Sequence, residues 1–304
     1  MEIRKKIASS LEDGLEYDCI FFKVKFNNFR DVSGSAANEI LDREELAECE
    51  AVLCLPDSYS SGGEPTPLIL SCHGAGSTVC EAEGKTGGLL YASECIRAGF
   101  AALDISGSAP HGLTFGCPEH VFALYKAYRY AIKNYNLSEK VFMAGHSMGG
   151  GTAINFASTF PSLVIALGVM NPGLSFHGVQ IGDHVSRNPW DREWADGHRY
   201  RKPIAQCFRF PTEDFCADNM SGFEPYRTRA FVNADGERAV IPPCPVKIWQ
   251  GADDKTVDPV LSREYYDSIR RAGCYAELHI LDGVAHKVVD TMKKELLLWF
   301  ERFI

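Results

Sequence analysis

An α/β fold, with a mostly parallel central sheet covered by helices on both faces, is predicted by three observations. From Ala51 onward short apolar runs alternate with longer amphipathic stretches, the rhythm of strands joined by helical crossovers. The runs are apolar throughout rather than alternating, as strands buried on both faces are. One of them, Val141–Ala144, passes through a Gly-x-Ser-x-Gly sequence straight into a stretch of small residues, which reads as strand, sharp turn and helix.

Taken in order, Val52–Leu55, Leu68–Cys72, Ala101–Ile105, Val141–Ala144, Val164–Val169, Val246–Gln250 and Ala276–Leu281 read as strands. Leu89–Ala98, Glu119–Lys133, Met148–Thr159, Pro259–Ala272 and Val288–Phe303 read as the helices between and after them. Tyr17–Phe26 alternates in part and suits an antiparallel edge hairpin at the start of the sheet. The rhythm breaks between Pro172 and Pro243, where no strand–helix unit is visible but aromatic residues abound. A connection of that length inside a compact domain carries function or structure of its own. The expectation is therefore a single domain over 1–304 with a cap inserted at 172–243, an oligomer contact being the other use of such a surface.

Composition excludes more than it specifies. The 304 residues carry a net charge of -9, which argues against a nucleic-acid partner, since that would need a basic face. The first residues lack the uninterrupted apolar stretch of about 7–15 residues that a secretory signal needs, and no window resembles a membrane span. Eleven cysteines are scattered without paired spacing, several inside apolar strands, and no C-x-x-C pair offers a start for a zinc site. Buried free thiols in a reducing cytoplasm are expected.

The chemistry is concentrated at Gly145-His146-Ser147-Met148-Gly149. To expose a serine oxygen at the end of a strand the chain must turn sharply, holding the serine in a strained conformation. Glycines on either side allow strand and helix to approach, and the helix N-terminus behind aims a partial positive charge at developing negative charge. Ser147 is thus the candidate nucleophile. In these residues the chain resembles the α/β-hydrolase superfamily, over roughly Ala51 to the C-terminus, and is most similar to serine esterases of the dienelactone-hydrolase and prolyl-oligopeptidase-like branches.

That resemblance implies the rest of a site. Leu68–Gly76 places His73-Gly74 at the end of an earlier strand, so the backbone N–H groups of Met148 and, by the family's His-Gly-x pattern, Ala75 are expected to form an oxyanion hole. His73 is expected to brace that loop rather than act as a base. In the family the acid follows the serine and the histidine comes last. Gly251-Ala252-Asp253-Asp254-Lys255-Thr256-Val257 resembles the family's G-x-x-D-x-x-V loop, which puts the acid at Asp254, with Asp253 as its neighbouring rival. Asp258 suits the N-cap of the Pro259 helix. His286, on the loop beyond the last strand, occupies the family's position for the base. No cofactor and no metal is implied.

Substrate contacts are expected from His111, on the loop after the strand ending near Asp104, and from Trp190 and Trp194 in the insertion; His111 serves equally as a turn cap. Aromatic rings suit a sugar face or an aryl acid, so acylated carbohydrates, aryl esters and short-chain esters all remain open. The arginines at 187, 192, 199 and 201 suit a carboxylate or plain surface. A small-amide or peptide hydrolase with the same triad is the first alternative. Oligopeptidase relatives carry a propeller that the first fifty residues are too short to build, so a small-molecule ester is expected first. A non-catalytic binding protein on the same fold is the alternative from another class. Dehalogenase or epoxide-hydrolase chemistry would place aspartate where Ser147 stands.

Overall fold

The computed structural model describes residues 3–8, 16–26, 47–107, 113–114, 116–174, 179–181, 184–186 and 244–304. Among them a nine-stranded sheet runs in the order β1-β2-β3-β7-β4-β8-β9-β12-β13. Its strands are β1 (Ile3–Ala8), β2 (Glu16–Phe26), β3 (Ala47–Leu55), β4 (Thr66–Cys72), β7 (Ala101–Ile105), β8 (Leu137–His146), β9 (Val164–Met170), β12 (Val246–Gly251) and β13 (Ala276–Leu281). Neighbours from β1 to β7 run antiparallel, and those from β7 through β4 to β13 run parallel. Two short ribbons stand apart, β5 (Val79–Cys80) with β6 (Lys85–Thr86) and β10 (Val179–Ile181) with β11 (His184–Ser186). This is the α/β-hydrolase fold expected from the sequence.

The strands read from sequence recur, because each central strand is covered on both sides and so had to be apolar throughout. One side of the sheet is covered by α2 (Pro118–Asn134), α3 (Met148–Thr159) and α4 (Pro259–Arg271), which bury Leu124, Ile154 and Leu261 among others. The other side is covered by α1 (Ser93–Arg97) and α5 (Asp290–Phe300), through Ile96, Leu296 and Phe300. Burying each such side chain fully contributes about 1.5–3 kcal/mol. Asp258 caps α4, its carboxylate accepting from Val260 N–H at 3.0 Å.

Two elements differ from the sequence reading. The stretch read as one helix over Leu89–Ala98 is a 3₁₀ segment, Gly87–Ala92, followed by the short α1. Its start lies against the end of β4, where a Cβ on Gly88 would stand 2.6 Å from the Ser71 carbonyl oxygen. Tyr17–Phe26 is antiparallel as expected but is not the edge, because β1 pairs outside it from Ile3↔Phe21 to Ala8↔Glu16. The charged Arg4-Lys5-Lys6 run, which breaks any apolar pattern, hid that strand in the sequence.

The cap expected at 172–243 lies largely outside the described residues, which include 172–174 and the β10–β11 ribbon. Seven of the nine described cysteines are buried. Among the described residues no helix is long and apolar enough to cross a membrane.

Candidate active site

Ser147 stands between β8 and α3 with φ 53° and ψ −120°, a conformation that costs a non-glycine residue on the order of 1–3 kcal/mol. Hydrogen bonds hold it there: Ser147 N–H donates to Met170 O at 3.0 Å, and its carbonyl accepts from Gly173 at 2.7 Å and Gly150 at 3.0 Å. The turn also needs close backbone approach. A Cβ on Gly149 would lie 2.1 Å from the Cys72 carbonyl oxygen, and one on Gly145 would lie 2.3 Å from the Gly149 oxygen. Any side chain at either position would push β4, β8 and α3 apart.

The structure brings Ser147, His286 and Asp254 together from three separate connections. Ser147 Oγ lies 2.8 Å from His286 Nε2, and His286 Nδ1 lies 2.7 Å from Asp254 Oδ2. Asp254 sits in the loop after β12, its side chain 0% exposed, while the His286 side chain is 18% exposed. Burying a carboxylate is costly unless its oxygens are satisfied. Here Oδ1 accepts from Thr256 N–H at 2.8 Å and Val257 N–H at 2.9 Å, and Oδ2 also accepts from Gln250 Nε2 at 3.1 Å. Gln250 is fixed in turn by Ser262 Oγ, which donates to its Oε1 at 2.7 Å. Asp253 is exposed, and among the described residues its backbone N–H is the group engaged, donating to Val284 O at 2.9 Å. An imidazole whose Nδ1–H is held by a carboxylate presents its Nε2 lone pair to the hydroxyl, giving the serine proton a place to go.

Two backbone amides border this group. Met148 opens α3, where first-turn N–H groups have no intrahelical acceptor, and Ala75 follows Gly74 in the loop after β4. Gly74 is close enough that a Cβ there would lie 3.5 Å from Ser147 Cβ. Gly74 N–H donates to Tyr91 Oη at 3.4 Å, whereas neither Ala75 N–H nor Met148 N–H has an acceptor among the described residues. His73 is buried beneath the loop with Nδ1 2.9 Å from Asp104 Oδ2. That same carboxylate oxygen accepts from Gly88 N–H at 2.6 Å, so the His73 ring is tied to Asp104 in a way that suits bracing of the loop. His111, Trp190 and Trp194 lie outside the described residues, as do the arginines at 187, 192, 199 and 201. Among the described residues no group of three or more His, Cys, Asp or Glu side chains could hold a metal ion.

Sequence reasoning missed Gln250, Asn171 and Tyr91, and gave His146 no role beyond its place in the motif. The His146 ring stacks obliquely near His286, centroids 5.0 Å apart, with Nδ1 3.4 Å from Tyr91 Oη. Burial, reinforced by the neighbouring His286, pushes its pKa down to about 3. His120, buried beside His73, is likewise held down to about 3 by burial first. An unfolded imidazole titrates near 6.5, so between about pH 3 and 6.5 the unfolded chain binds more protons than the folded one. Stability is therefore expected to fall as pH drops below about 6.5, by up to about 1.4 kcal/mol per unit for each histidine. Thermal melts should show a lower Tm at pH 5 than at pH 7, and the double variant His120→Gln/His146→Gln should lose much of that difference. An unchanged difference in the double variant would assign the acid sensitivity to other groups.

An S-formylglutathione hydrolase from Agrobacterium tumefaciens superposes with a TM-score of 0.60 at 16% identity, over 95% of this chain and 96% of that one. Candida antarctica lipase A gives 0.63 at 13% identity, over 99% and 80%. Pyrococcus horikoshii acylaminoacyl peptidase gives 0.61 at 15% identity, over 95% of this chain but 42% of the peptidase, so this chain spans less than half of that relative. These similarities concern the fold. No protein-family model matches the sequence, and a comparison with curated proteins returned no match.

Proposed function

We propose that this chain is a serine hydrolase that cleaves carboxylic esters through an acyl-enzyme intermediate. The observation that carries the reading is the continuous pair of hydrogen bonds from Ser147 Oγ through His286 to Asp254, 2.8 and 2.7 Å long. In this reading His286 Nε2 takes the Ser147 proton as Oγ bonds to the acyl carbon, and Asp254 stabilises the resulting imidazolium. The oxyanion is held by the N–H groups of Met148 and Ala75, the choice of Ala75 being supported by the engagement of Gly74 N–H with Tyr91. The imidazolium then protonates the leaving alkoxide. Water attacks the acyl-enzyme with its proton passing to His286, and the acid departs as Ser147 regains its proton.

The substrate in this proposal is a small ester, contacted by His111, Trp190 and Trp194, with acylated carbohydrates and aryl esters as the classes that suit aromatic contacts. The net charge of -9 supports a partner other than nucleic acid, and the buried cysteines, scattered without paired spacing, favour a reducing compartment such as the cytoplasm. Amide cleavage is the second reading, favoured by the likeness to an acylaminoacyl peptidase, because the same histidine can protonate a leaving amine.

The test is a fluorophosphonate label followed by turnover of matched aryl esters and anilides. The proposal expects one covalent adduct, on Ser147, and higher kcat/KM for the esters. Faster anilide turnover would move the chain to the amide class. Absence of any adduct on Ser147 would remove the hydrolase reading.

A further inference from the structure

Asn171 is completely buried, with φ 45°, one residue beyond the end of β9. Both ends of its amide are engaged. Oδ1 accepts from Gly251 N–H at 2.8 Å, and Nδ2 donates to the Lys287 carbonyl at 2.9 Å. Its backbone N–H donates to Trp249 O at 2.7 Å, and the residue before it, Met170, accepts from Ser147 N–H at 3.0 Å. Gly251 ends β12, three residues before Asp254, and Lys287 follows His286. One side chain therefore links the strand that delivers Asp254 to the loop that delivers His286, from a position next to the residue that holds the Ser147 backbone.

We propose that Asn171 is a positioning residue that fixes His286 between Asp254 and Ser147, an inference that rests on the serine-hydrolase reading for its catalytic consequence. The loop carrying His286 leaves β13, the last strand of the sheet. Its first part is pinned to the Asp254 loop by Ala252 N–H to Leu281 O and Asp253 N–H to Val284 O, both 2.9 Å. Directly after His286 the loop is held by Asn171 through the Lys287 carbonyl, ahead of Val288 and Val289, which pack against the core. The imidazole thus lies between two anchored points, and removing the Asn171 bond loosens the residue immediately after it. Few residues meet the requirement. The backbone position needs a left-handed conformation, which asparagine tolerates and glycine adopts freely. The two contacts need one acceptor and one donor on a short planar group, which an amide supplies and a carboxylate does not.

The variants Asn171→Gly and Asn171→Asp separate these roles. Glycine keeps the backbone conformation and loses both side-chain bonds; aspartate keeps an acceptor for Gly251 and loses the amide donor to Lys287. The first measurement is the low-field proton resonance of His286 Nδ1 in the resting protein, which needs no substrate. It should be sharp in the parent and broadened or lost in the glycine variant, and weakened in the aspartate variant, at temperatures where circular dichroism shows both folded. The second is steady-state hydrolysis of an aryl acetate. Misplacing a reacting group by about 1 Å costs on the order of 100-fold, so kcat should fall by about that factor in the glycine variant with KM little changed. An intact His286 resonance in both folded variants would overturn the proposal, as would an unchanged kcat in the presence of normal parental turnover. A parent that turns over neither ester nor anilide and takes no fluorophosphonate on Ser147 would instead overturn the hydrolase reading, while the resonance would still report whether Asn171 holds His286.

Discussion

Ser147→Ala is expected to lower turnover of an activated aryl acetate by about a million-fold, the loss typical of removing a catalytic serine, and to abolish fluorophosphonate labelling. The fold should be unaffected. Alanine at this position retains the backbone bonds to Met170, Gly150 and Gly173 and inherits the same strained φ of 53°. Ser147→Gly provides the companion measurement. It should be equally inactive but melt higher than the parent, because glycine adopts positive φ without the steric cost that serine bears. Stability held in reserve at a site that function requires to be strained is a common trade-off. Substantial turnover in either variant would mean that the chemistry lies elsewhere. A glycine variant that melts no higher would mean that the strain at Ser147 is relieved by its surroundings.

The parts of this molecule legible in sequence are those governed by local pattern. Met148–Thr159 and Ala276–Leu281 match their observed elements residue for residue, because each is bounded by a sharp chemical change, Ser147 before the helix and Asp282-Gly283 after the strand. The Ser147 turn was legible for the same reason: its glycines answer to clashes within a few residues of chain and with the adjoining β4. What stayed hidden is joined across long stretches of chain. Asn171 and Lys287 are 116 residues apart, and no periodicity connects them. The available signal was an asparagine between an apolar strand and Pro172-Gly173, which marks a turn with left-handed tolerance but says nothing of what the amide reaches. Gln250 read as the last residue of an apolar strand. Only the fold shows that it faces Asp254 and is held by Ser262. The Asp253–Asp254 pair shows the same limit: the loop resemblance favoured one of two adjacent acids, while burial and partners separate them.

That separation yields the second large effect. Asp254→Asn should reduce kcat by about ten-thousand-fold, because an amide can donate to His286 Nδ1 and so stabilise the tautomer with its proton on Nε2, facing Ser147. The surroundings reinforce that outcome. Asp254 Oδ1 is occupied by the N–H groups of Thr256 and Val257, so the oxygen of an asparagine is expected to stay there and the amide nitrogen to turn toward His286 and Gln250. Two donors would then oppose one another where Gln250 Nε2 now meets Oδ2. Asp253→Asn should leave kcat within about threefold, since its side chain is exposed and its backbone bond to Val284 is unchanged by the substitution. Steady-state kinetics of the single variants decides the assignment. A large loss at Asp253 with little at Asp254 would move the acid by one residue and would require the loop to rearrange from the geometry in which Asp254 meets His286 at 2.7 Å.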